Sequence, residues 1–217
     1  MKFLKGFVLV VFVLLAIIVL IVSCSDTEEE PIAETEEVEE VESVELPSYL
    51  VSLTEDVSFS NVKRFSWQVV ISEPVTPEQL MLISERVIEE AKNKENFNAV
   101  TIFYYDYEEY IGHGYVLGRA VYAPGGDWGK ADTVNTGDYD KMSFKFDMRN
   151  KDWSKQLTPE EVQVWVLWNE FFDSLMTDES IPSDEEVDEL VAMELNMEPD
   201  VVKSIIWKQL DWTFLDE

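Results

Sequence analysis

Residues 64–105 read RFSWQVVISEPVTPEQLMLISERVIEEAKNKENFNAVTIFYY, and this stretch decides the fold. Near its start every second residue is apolar: Phe65, Trp67, Val69 and Ile71. This period of two predicts a strand with one buried face. The letters TPEQ at residues 76–79 combine a capping threonine, a proline suited to the first helical turn and a glutamine that can bond back. A helix is therefore expected to begin there.

The expected helix is amphipathic and is followed by further strands. Its apolar positions are Leu80, Ile83, Val87 and Ala91, which fall on one face of a helix. Residues 99–105, 114–122 and 142–148 are rich in branched and aromatic side chains and are predicted to be strands. The prediction is an α+β domain over residues 48–150, with one helix covering a small, mostly antiparallel sheet of about four strands.

A helical tail is predicted for residues 157–214. Capping signals begin at Thr158 and Ser183, and Pro199 opens a last apolar pattern, so about three helices are expected. The last two have helix-turn-helix-like spacing. A DNA reader needs a basic helix, whereas this tail has Lys203 and Lys208 among many acids, so no nucleic acid partner is predicted. Two of its tryptophans, Trp207 and Trp212, are candidates either for an exposed anchor or for core packing.

The loop at residues 123–139, APGGDWGKADTVNTGDY, is long for a hairpin and rich in glycine. It has no phosphate-loop motif, and from Asp127 the third and fifth positions are Gly129 and Ala131, which excludes a calcium loop of EF-hand type. Two interpretations stay open: a structural turn held by its tryptophan, or a contact for a ligand or partner. The candidate contact residues are Asp127, Trp128, Asp132, Asp138 and Tyr139.

The first residues predict a signal peptide or membrane anchor over residues 1–23. Lys2 and Lys5 precede an unbroken apolar run at residues 6–22, long enough as a helix to reach roughly 25 Å. Positive charge before the run and dense acidic charge after it predict that the bulk of the chain is extracytoplasmic. Cys24 is the single cysteine, so the sequence allows no internal disulfide and no thiolate metal centre.

The letters IVSC at residues 21–24 resemble the bacterial lipoprotein signal. The resemblance implies that Cys24 receives the lipid, palmitate included, and becomes the first residue after cleavage. An uncleaved transmembrane helix with an incidental cysteine is the alternative. Either way the N-terminus is expected to hold the protein at the cell membrane.

Acidic charge dominates the sequence that follows the anchor. Residues 24–47 carry many carboxylates and no lysine or arginine, so they are predicted to form a disordered spacer. The whole chain has 45 acidic and 16 basic side chains, for a net charge of −29. Such a surface repels nucleic acids and anionic lipids and attracts cations or basic partners, although most acidic surfaces are only solvated faces.

The segments FNAVTIFYYDY at residues 97–107 and YVLGRAVYAPGGDW at residues 115–128 carry a second resemblance. Over residues 57–146 the chain resembles an uncharacterised family of small secreted or membrane-anchored bacterial proteins. This resemblance supports the fold and implies no catalytic residue.

Catalytic chemistry has little support in the sequence. His113, the single histidine, lies between two glycines and is expected in a surface turn; no G-x-S-x-G accompanies it. Asp106 with Glu108 and Glu109 could act as acids or bases, but adjacency means little in so acidic a chain. No catalytic residue, metal site or cofactor is predicted. The sequence favours a membrane-tethered binding or protein-interaction module; the alternatives are a cell-envelope enzyme using carboxylates and an extracytoplasmic sensor that contacts a basic partner.

Overall fold

A five-stranded sheet organises the computed structural model, which describes residues 45–214. Its strands, adjacent in chain order, are β1 (Leu50–Asp56), β2 (Arg64–Val70), β3 (Ala99–Tyr105), β4 (Gly118–Pro124) and β5 (Met142–Met148). β2 and β3 are parallel, and the other neighbouring pairs are antiparallel. The predicted α+β class with a mostly antiparallel sheet is confirmed.

Helix α1 (Pro77–Lys94) connects the two parallel strands. Parallel neighbours cannot be joined by a tight turn, so the chain must cross over one face of the sheet. The expected capping box is present: Gln79 N–H donates to Thr76 Oγ1 at 3.2 Å, and Thr76 N–H donates to Gln79 Oε1 at 2.9 Å. The helix buries one face on the sheet, where Ser84 Oγ and Tyr104 OH share a hydrogen bond of 2.7 Å.

The edge strand β1 was not predicted, which corrects the expected strand number. Its side chains are exposed or only half-buried, and its pairing with β2 shifts between Val51 and Leu53. Without a buried face it lacks the alternation on which the other predictions rest. The third predicted strand also begins later than expected, at Gly118, because Gly112 and Gly114 have φ values of +94° and +97° and turn the chain.

Three helices form the tail, as predicted: α2 (Pro159–Leu175), α3 (Asp184–Leu195) and α4 (Pro199–Phe214). Thr158 makes a full capping box with Glu161, and Ser183 accepts from Glu186 N–H. Between α3 and α4 the chain turns at Asn196, which has left-handed backbone geometry with a φ of +50°. Asparagine tolerates this geometry better than most residues, so the turn is short.

The tail packs against the sheet end of the molecule through polar and aromatic contacts. Tyr107 OH donates to Leu157 O at 2.8 Å, and the Arg149 guanidinium donates to Thr213 O. The Tyr110 and Trp165 rings meet edge to face, with centroids 4.8 Å apart. The described residues accordingly fall within one compact unit.

The predictions for the anchor, for Cys24 and for most of the acidic spacer concern residues 1–44, which lie outside the described residues. Between residues 45 and 214, no helix combines the length and the apolarity that crossing a bilayer requires.

Candidate functional site

The carboxylates of the predicted loop contact are used locally or face solvent. Asp127 caps a 3₁₀ helix at Trp128–Thr133: its Oδ1 accepts from Gly129 N–H at 2.9 Å, and its Oδ2 lies 3.5 Å from Lys130 Nζ. Asp138 Oδ1 accepts from Asp140 N–H at 3.3 Å, and Asp132 is exposed. These acids do not converge: residues 45–214 contain no cluster of three or more acidic, histidine or cysteine side chains able to hold a metal ion.

The two aromatic residues of the loop pack inward. Trp128 lies against a small cluster that contains Ala99 and Ala131, with the Arg64 guanidinium 5.7 Å from its ring centroid. The Tyr139 ring centroid is 5.0 Å from that of Phe97, and its hydroxyl accepts from Phe97 N–H at 3.4 Å. These contacts favour the structural interpretation of the loop.

Asn98, which sequence reasoning missed, fastens this loop to the start of β3. Its Oδ1 accepts from Lys63 N–H at 2.9 Å and from Thr136 Oγ1 at 2.8 Å, and its Nδ2 donates to Val134 O at 2.9 Å. The Asn98 side chain itself is buried, and the three hydrogen bonds satisfy its amide group there. An asparagine directly before a buried strand was the signal that could have identified it.

A buried carboxyl group, Asp106, joins β3 to the tail. Its Oδ2 accepts from Gln156 Nε2 at 3.0 Å and from Trp212 Nε1 at 2.9 Å. Its Oδ1 and the Tyr110 hydroxyl are both buried and make no hydrogen bond within the described chain. Burial raises the pKa of Asp106 to about 6, although the hydrogen bonds from Gln156 and Trp212 oppose this.

The neighbouring acids Glu108 and Glu109 are not gathered around Asp106. They line an open cleft of about 490 Å³ beside the carboxyl ends of β2 and β3, whereas Asp106 is fully buried. Glu73, also in this cleft, accepts from Ser48 N–H and Oγ, and these bonds hold its pKa below the usual value. Glu73 is thus an ionised acceptor at neutral pH.

A second cleft, of about 420 Å³, lies within the tail and is lined by side chains of α2, α3 and α4. Its apolar lining includes Trp168, Ile206, Trp207 and Leu210. Trp207 is 58% exposed, whereas Trp212 is buried beside Trp153, so the two candidate anchors separate into one surface and one core residue. We refer to this site as the tail cleft.

The polar lining of the tail cleft is mainly acidic and includes Asp184, Glu185 and Asp188 together with Lys203. Asp188 is only 5% exposed, and its Oδ1 accepts from Trp168 Nε1 at 2.9 Å. Burial raises the pKa of Asp188 and the charges of Asp184 and Glu185 add to this effect, whereas the hydrogen bond from Trp168 and the charge of Lys203 oppose it. An acid on the apolar stripe of α3, three residues before the buried Val191, was the sequence signal for this residue.

His113 lies in an exposed turn, as expected, and its ring centroid is 5.0 Å from that of Trp165 on α2.

We expect Asn98→Ala to lower the free energy of unfolding by about 2–3 kcal/mol, because it removes three hydrogen bonds that a buried side chain makes. Limited proteolysis should then cut within residues 123–139 before it cuts the remainder of the domain. Asp132→Ala, an exposed change in the same loop, should shift stability by less than about 0.5 kcal/mol. Equal effects of the two substitutions in urea unfolding would show that Asn98 does not hold the loop.

We expect Asp106 to make the protein more stable as the pH falls from about 7 to about 5. Its pKa is raised from 3.8 to about 6 on folding; its contribution is therefore fully present below the unfolded pKa and is lost as the pH rises through about 6. The gain should be about 1 kcal/mol over this range, and Asp106→Asn should remove it. Urea unfolding at both pH values, with Asp132→Asn as a surface control, measures this difference. An unchanged pH dependence in Asp106→Asn would contradict the assignment.

Comparisons with known proteins identify a family. A crystal structure described as a DUF487 family protein from Desulfovibrio piger ATCC 29098 has 16% sequence identity and a TM-score of 0.44, over 73% of this chain and 90% of that chain. No curated protein matches the sequence. A family model described as "Domain of unknown function (DUF4875)" matches residues 45–207, which include the whole sheet and most of the tail. Because this match spans more than half of the chain, the protein belongs to the DUF4875 family.

Proposed function

We propose that this protein is a membrane-tethered, extracytoplasmic protein-interaction module whose binding surface is the tail cleft. The observation that carries the proposal is the exposure of Trp207 at a cleft with apolar walls. Tryptophan is among the commonest anchors of protein interfaces, because it buries a large rigid surface at little entropic cost.

The helix that carries Trp207 leaves a row of apolar side chains uncovered. Trp207, Leu210 and Phe214 are spaced three and then four residues apart on α4, so they lie along one face, and all three are exposed. Ile181, next to the cleft residue Pro182, is 75% exposed. Grouped apolar exposure of this kind typically marks a surface that a partner covers.

The tether rests on the sequence of residues 1–47. The apolar run, the cysteine of the lipoprotein-like signal at Cys24 and the acidic spacer together favour a protein held at the outer face of the cell membrane. A charged, extended spacer would let the folded part reach a partner at a distance from the bilayer.

We expect the protein to fractionate with membranes and to incorporate labelled palmitate. Cys24→Ser should abolish the label and leave a longer, uncleaved chain, because it removes the thiol that accepts lipid. Ser25→Ala, at the adjacent position, should leave both the label and the cleavage unchanged. A membrane-bound but unlabelled protein would favour the uncleaved transmembrane anchor, and full-length protein in the cytosol with a free thiol would contradict the tether.

We expect a photo-crosslinking residue at position 207 to form a discrete adduct with an envelope protein in intact cells. The same residue at position 59, where Phe59 is 78% exposed but lies on the sheet domain, should not form that adduct. Trp207→Ala should change the free energy of unfolding by less than about 0.5 kcal/mol, because the side chain is largely in water. An absence of adducts at position 207, or the same adducts from positions 59 and 207, would contradict the proposal.

A further inference from the structure

The tail cleft brings together two indole rings and a buried carboxylate from three different helices. Trp168 lies on α2, Asp188 on α3 and Trp207 on α4. The Trp168 ring stacks on Phe172, with centroids 5.2 Å apart and planes inclined by 16°, and its Nε1–H is bonded to Asp188 Oδ1. One wall of the cleft is therefore held in a fixed orientation before any partner arrives.

Asp188 has acceptor capacity that the chain leaves unused. Only its Oδ1 accepts a hydrogen bond; across residues 45–214 no donor bonds to Oδ2. Asp188 as a residue is only 5% exposed, yet its Oδ2 is not among the buried polar atoms that lack a hydrogen bond, so this oxygen is open to the cleft. A cation that enters the cleft can bind to this free oxygen directly.

The charges that line the cleft favour a positively charged ligand. Asp184, Glu185 and Asp188 contribute three carboxylates to the lining, and Lys203 is the basic residue there. Lys203 comes within ion-pair distance of no acidic residue that the structure describes, although its charge lowers the pKa of Asp188, so it is a neighbouring cation and not an ion-pair partner of this carboxylate. An anion would be repelled at this site, and a cation would be attracted.

From these contacts we infer that the tail cleft binds the cationic side chain of a lysine or arginine presented by a basic protein partner. The inference rests on the proposed interaction function and names the chemistry of its partner. The charged head pairs with Asp188 and lies against the faces of Trp168 and Trp207, since tryptophan is the aromatic residue that attracts cations most strongly.

The apolar lining distinguishes such a side chain from a hydrated metal ion. Ile206 and Leu210 offer carbon surface to the alkyl stem of lysine or arginine, which commonly covers apolar atoms while its head remains polar. A hard cation instead requires several oxygen ligands in one sphere, and no such cluster occurs in the part of the chain that the structure describes.

Two capped octapeptides test the inference: one carries a central lysine between glycine and serine residues, and the other carries norleucine at that position. Each is titrated into the full chain in neutral detergent at low salt, and the indole N–H resonances of Trp168 and Trp207 are followed by NMR. The lysine peptide should shift both resonances until they reach a plateau. The norleucine peptide should bind at least about tenfold more weakly.

Asp188→Asn keeps an acceptor for Trp168 and should weaken lysine-peptide binding about tenfold. Glu186→Gln is the matched control, because it removes the same charge from an exposed residue of α3 that does not line the cleft. Its effect should stay below about twofold. Lys203→Gln, an exposed change that spares folding, should strengthen lysine-peptide binding about two- to fivefold, because it removes a like charge.

Equal binding of the two peptides, or equal losses in Asp188→Asn and Glu186→Gln, would overturn the inference. If the norleucine peptide binds as well as the lysine peptide and the adduct at position 207 persists, the tail cleft is an apolar docking surface and only the cationic partner is refuted. If neither peptide shifts the indole resonances and position 207 gives no adduct, the proposed function fails as well.

Discussion

The parallel pairing of β2 with β3 is the constraint on which the rest of the structure depends. Two parallel neighbours need a crossover, and α1 provides it while covering one face of the sheet. Because both strands run in the same direction, their carboxyl ends reach the same edge. Asp106 follows β3 directly and lies at that edge. There it accepts hydrogen bonds from Gln156, which precedes α2, and from Trp212 on α4. The position of the tail thus follows from the direction of one strand.

Asp106 illustrates how a buried acid can serve packing instead of chemistry. It has the raised pKa often found in general acids, yet it is fully buried, and Gln156 and Trp212 of the same chain donate to it. Asp188 differs: although the residue is only 5% exposed, it lines a cleft, and no donor between residues 45 and 214 bonds to its Oδ2. A structural carboxyl group therefore differs from one suited to binding more by its access to a cavity than by its raised pKa.

Local patterns in the sequence predict most of the secondary structure but little of the candidate site. The period-two strands, the capping boxes at Thr76 and Thr158 and the cap at Ser183 are local signals, and the helices begin where they indicate. β1 lacks such a signal because it has no buried face of its own. Its pairing with β2 is what places it in the sheet. The loop at residues 123–139 drew attention by composition, whereas the tail cleft depends on how three helices meet, and no spacing within one helix encodes that.

The exposed edge of β1 affects how copies of this protein meet one another. An unpaired strand edge offers backbone donors and acceptors to any neighbouring chain, and intermolecular strand addition is a common start of aggregation. β1 is the outermost strand on its side of the sheet; the shifted pairing at Val51 and Leu53 interrupts its regularity, and Glu55 and Asp56 place negative charge at its end. Copies held side by side would repel one another at this edge instead of joining into a continuous sheet.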